Sequence, residues 1–84
     1  MMLDDNARAL ILTSLERDHS PDEARRIVDA GDRAVVVASL RRSLANGEHA
    51  LMELHPFHPW RAAVTVERAQ LVALVGQLTG EAQP

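Results

Sequence analysis

The chain has no cysteine, lysine or tyrosine, and its only aromatic residues are Phe57 and Trp60. Without cysteine there are no disulfides and no thiolate metal sites. Without lysine, all nine cationic side chains are arginine. This Arg-rich, bacterial-type composition fits GC-rich coding better than selection for bidentate contacts, which would spare some exposed lysines. No apolar run approaches the roughly 20 residues of a membrane span, so no membrane association is expected. The opening Met1-Met2-Leu3-Asp4-Asp5 is acidic where a secretory signal carries positive charge. Together with the missing cysteines, that predicts a soluble, cytoplasmic protein.

What is present is aliphatic. Hydrophobic residues make up 46% of the 84, so the core must be built from Leu, Val, Ile and Ala, which is helix-packing material. The length suits one compact domain, read here as 1–80 with 81–84 as a flexible tail. A chain this short buries only roughly 60–65% of its unfolded surface. With disulfides excluded, oligomerisation or a partner is the natural further source of stability. The net charge of −3 is unevenly spread: −4 over 1–23, +3 over 24–46 and −2 over 47–84. The middle third is therefore basic within an acidic chain.

Punctuation along the chain is legible. Asp4 or Asp5 can cap a first helix running to about Asp18, with Leu3, Ala7, Leu10, Ile11, Ser14 and Leu15 along one stripe. Ser20-Pro21-Asp22-Glu23 is a capping box with proline at the first helical position, and Gly31 is a natural left-handed stop. Asp32 can cap a third helix from Arg33 to Asn46, stopped by Gly47. Within it, Ala34-Val35-Val36-Val37-Ala38 is β-branched and apolar all round, so a short buried strand competes with the helix. The runs 50–55 and 61–66 alternate in polarity around Pro56-Phe57-His58-Pro59-Trp60, which reads as a β-hairpin over about 49–66. The competing reading is a short helix over 48–54, a rigid loop, and a helix starting near Thr65. In either case Thr65 is the expected cap of a last helix that stops at Gly80. The fold class is thus mainly α: three N-terminal helices, a small hairpin and a C-terminal helix.

That last helix carries two apolar stripes. Leu71, Leu74, Val75 and Leu78 form one; Val66, Ala69, Val72 and Ala73 form its neighbour. A helix this wide in its apolar arc commonly packs inward with one stripe and self-associates with the other. The expected self-association face is Leu71, Leu74, Val75 and Leu78, in a homodimer.

The segment His55-Pro56-Phe57-His58-Pro59-Trp60 is the most distinctive. Its prolines and aromatics suit a preorganised surface for a protein partner, since aromatics anchor interfaces at low entropic cost. The alternative is that Phe57 and Trp60 fold back to plug the core. Partner contacts are expected from His55, Phe57, His58 and Trp60, with Arg41 and Arg42 meeting an acidic surface. His55 and His58 with Glu53 could form an open metal site, but H-x-x-H outside a helix is a weak signal, and the expectation is no metal and no cofactor.

Catalysis is not expected. The hydroxyls of Thr13, Ser14, Ser20, Ser39 and Ser43 fall on helices or caps, none in a nucleophile elbow, and there is no Gly-rich phosphate loop. The order helix, helix, helix, hairpin, helix resembles a winged-helix regulator. That resemblance implies nucleic-acid binding through Arg25, Arg26, Arg33, Arg41 and Arg42. Against it stand the apolar start of the would-be recognition helix and the acidic whole. The favoured function is a small accessory or regulatory protein that works by protein–protein contact, with DNA binding as the alternative.

Overall fold

The computed structural model describes residues 3–80, which form four helices and, among those residues, no strand: α1 (Asp5–Leu15), α2 (Pro21–Ala30), α3 (Arg33–Glu53) and α4 (Pro59–Thr79). No helix among them is long and apolar enough to cross a membrane. The mainly-α class holds. The expected division into three N-terminal helices, a hairpin and a C-terminal helix does not, and the proposed tail at 81–84 lies outside the described residues. Contacts divide the chain into two units, with the boundary after Leu40 inside α3.

The first unit holds α1, α2 and the opening of α3. Asp4 caps α1, its Oδ1 accepting from Ala7 N at 2.7 Å. Ser20 Oγ accepts from Glu23 N at 3.2 Å, and Pro21 occupies the first turn of α2, where its missing N–H costs nothing. The Glu23 carboxylate turns to His19 Nδ1 at 3.4 Å. Gly31 (φ 68°) closes α2 with a Schellman pair, Gly31 N to Val28 O and Asp32 N to Ile27 O. Arg8–Asp29 at 3.0 Å and Arg25–Asp22 at 2.5 Å are exposed ion pairs, worth about 0–1 kcal/mol each.

Burial explains why residues 34–38 are helical despite their β-branched character. The buried positions are Val36, Val37, Ser39, Leu40 and Ser43, while Ala34 and Ala38 are exposed. Positions 36, 39, 40 and 43 repeat at i, i+3, i+4 and i+7, one helical face. Two of the four are serine, which hides the period from a count of apolar residues alone. Ser14 on α1 meets this face: its Oγ donates to Ser39 O at 3.0 Å and lies 2.9 Å from Ser39 Oγ. With Ile11, Leu15, Ala24 and Val28 also buried, the unit closes around aliphatics and one satisfied hydroxyl pair.

In the second unit the rest of α3 runs antiparallel to α4, joined by a tip at 54–58. Arg68 Nη2 reaches Glu48 Oε1 at 3.1 Å, and Arg61 Nη1 reaches Leu51 O and Leu54 O at 2.6 and 3.3 Å. Here the expected hairpin gives way to helices on both sides. Gly47 does not stop α3. The cost of glycine within a helix is only ~1 kcal/mol, and α3 continues past it to Glu53. Thr65 does not start α4 but sits in its second turn, its Oγ1 donating to Arg61 O at 2.8 Å. The start is six residues earlier, at Pro59, capped by His58.

A Cβ added at Gly47 would meet only Val64 Cγ1, at 3.9 Å, an ordinary contact. Gly47→Ala is therefore expected to stabilise the protein by about 0.5–1 kcal/mol, read as a raised denaturation midpoint. A destabilised variant would show that residue 47 needs glycine for a reason other than helix propensity.

Candidate functional site

The tip is built twice from one tripeptide. His55-Pro56-Phe57 and His58-Pro59-Trp60 are consecutive copies of His-Pro-aromatic, and each adopts the same local arrangement. His55 Nδ1 accepts from Phe57 N at 3.2 Å, and His58 Nδ1 accepts from Trp60 N at 3.1 Å. Each imidazole also packs on its own aromatic, His55 on Phe57 at 5.6 Å between centroids and His58 on Trp60 at 5.5 Å, edge to face. Each copy starts a turn: His55 O accepts from His58 N at 2.9 Å, and His58 O from Arg61 N at 3.0 Å.

The copies diverge because of the residue that comes after each. After the first stands His58, which precedes a proline and is pushed out of the helical region, at φ −64° and ψ 133°. Its turn cannot propagate. After the second stands Arg61, with no further proline within α4, so its turn continues as 21 helical residues.

Arg61 fixes the angle of the tip. Its guanidinium lies on the last carbonyls of α3, which no later turn would otherwise satisfy. Cationic charge at a helix C-terminus also opposes the negative end of the dipole.

On this frame the two aromatics point outward. Phe57 is 88% exposed and Trp60 70%, so neither plugs the core; Met52, one residue before the end of α3, is 84% exposed. Among the described residues these are the three most exposed large hydrophobics, and all three fall within nine residues. The sequence conceals Met52 inside an alternating run, and the tripeptide repeat is shorter than the periods that mark repeat folds.

Other expected site residues fall elsewhere. Arg41 and Arg42 are exposed, but Arg41 stands twelve positions before Glu53, about 18 Å along α3. They do not join the tip in one patch. Leu71, Leu74, Val75 and Leu78 are buried at 3–8% exposure. The stripe assigned to self-association is thus already spent within the chain, and its neighbour, with Val66 and Val72 exposed, is the open one. Among the described residues no three His, Asp or Glu side chains gather as a metal site. Glu53 is engaged by His49 Nε2 at 3.1 Å, and both tip imidazoles spend Nδ1 on the backbone. The winged-helix resemblance loses its wing, since 49–66 holds no strand, and Val36 and Val37 of the would-be recognition helix are buried.

No protein-family model, curated protein or solved structure matches the chain.

Arg61→Ala is expected to cost about 1.5–3 kcal/mol, the range for hydrogen bonds to a charged group. The loss should be measurable by chemical denaturation, with fraying of α3 after Ala50 visible in amide exchange. Unchanged stability would remove Arg61 as the clasp of the helical pair.

Proposed function

We propose that this chain is an accessory or regulatory protein that acts by protein–protein contact, docking a partner through the tip formed by Met52, His55, Phe57, His58 and Trp60. The observation that carries this reading is the exposure of both aromatics of the chain on a proline-braced turn. Large aromatics left in water cost burial energy that a small core could have used, about 1.5–3 kcal/mol for a side chain such as Phe. Two prolines and two side-chain caps reduce the ordering entropy that binding would otherwise cost.

The partner offers an apolar cleft for Phe57 and Trp60; a contact to Arg41 would require a second, acidic surface about 18 Å further along α3. Self-association belongs to the same proposal, through the outward stripe of α4 that carries Val66 and Val72. The cytoplasmic setting expected from the absent cysteines belongs to it as well.

The test compares the full chain with Phe57→Ser/Trp60→Ser as affinity baits, with helicity checked by circular dichroism. A partner retained by the parent chain and lost by an equally helical double variant is the expected result. Equal retention by both would remove the tip as the docking surface. Sedimentation at micromolar concentration should show a dimer that Val66→Asp/Val72→Asp converts to monomer. A monomeric parent chain would end the self-association half of the reading.

A further inference from the structure

We propose that the tip is a proton-sensitive device, in which neutral His55 and His58 hold the aromatics and the first turn of α4 in place and protonation releases them. This rests on the two caps themselves and stands whether or not the tip docks a partner.

A backbone N–H can only donate. Because Phe57 N and Trp60 N point at Nδ1 of His55 and His58 at 3.2 and 3.1 Å, each Nδ1 must present a lone pair. Each ring then carries its single proton on Nε2. Adding a second proton places an N–H where the acceptor was, facing another N–H. At His58 it also places a cation at the positive end of the α4 dipole. Both effects have the same sign: the caps are intact at higher pH and are lost as pH falls. The two copies are adjacent and each imidazole packs on its own aromatic, so ring rotation moves Phe57 and Trp60 as well.

The charged groups around the tip have other engagements. On α3, His49 pairs with Glu53 and Glu48 with Arg68; on α4, the Arg61 guanidinium holds the carbonyls of Leu51 and Leu54. Among the described residues, no carboxylate bonds either tip imidazole to hold it in the charged form. Glu67, one residue before Arg68, is exposed.

Nuclear magnetic resonance of the ¹⁵N-labelled full chain tests this between about pH 8 and pH 5, the interval in which imidazoles as a class change charge. At the upper end both rings should be in the Nε2–H tautomer. Towards the lower end, the Phe57 and Trp60 amides should shift and lose protection about fivefold, the size of one lost cap, while the Leu74 amide holds. His55→Asn/His58→Asn keeps side-chain oxygens that cap well without titrating, so it should fold and show a flat response. An Nδ1–H tautomer at the upper end would overturn the proposal. So would an acid response in the asparagine variant equal to that of the parent chain.

Discussion

A helix that stops leaves its last carbonyls without partners, and α3 stops where two prolines prevent any continuation. The guanidinium of Arg61 resolves this by returning from the first turn of the next helix to the carbonyls of Leu51 and Leu54. That contact ties the start of α4 to the end of α3 and leaves only a short tip between them. Phe57 lies in that tip and Trp60 in the first turn of α4, and both are exposed.

The first unit rests on a different economy of side chains. Its helices bury serine where larger residues would be expected, with Ser14 and Ser39 hydrogen bonded to each other. Among the described residues no buried side-chain polar atom lacks a partner. Such a pair adds little net energy, since it replaces bonds to water, but breaking one side would leave a buried group unsatisfied. It serves to define register: a slip along α1 or α3 would separate the hydroxyls and set each against aliphatic neighbours.

These choices decide what is legible in the residues alone. The second helix is legible because its signals are local: Ser20, Pro21 and Gly31 act on their own backbone. The buried face of α3 is obscured because Ser39 and Ser43 carry half of its period. The expected hairpin fails for a more general reason. Over six residues, a period of 2 and a period of 3.6 fit the same pattern, and only long-range contact decides between them. That contact comes from Arg61 and Arg68, which alternation counts merely as polar. Pro59 reads as an obstacle to helix on both sides, whereas at the first helical position it favours the helix it opens. The tip is distinctive in the sequence, but the exposure of its aromatics and the histidine hydrogen bonds within it appear only in the folded chain.

The placement of the aromatics carries the functional argument furthest. A core of Leu, Val, Ile and Ala in so short a chain is small, and Phe or Trp would add more buried area per residue than any of them. A chain shaped by stability alone would place its two aromatics inside. Here both are outside, as is the exposed Met52 nearby in the chain, on a segment with two prolines and two histidine side chains hydrogen bonded to its own backbone. Scattered exposed hydrophobics need no explanation, but a group of them does. Proline restricts the conformations open to such a segment, so less entropy remains to be lost in any contact that the proposed docking would make.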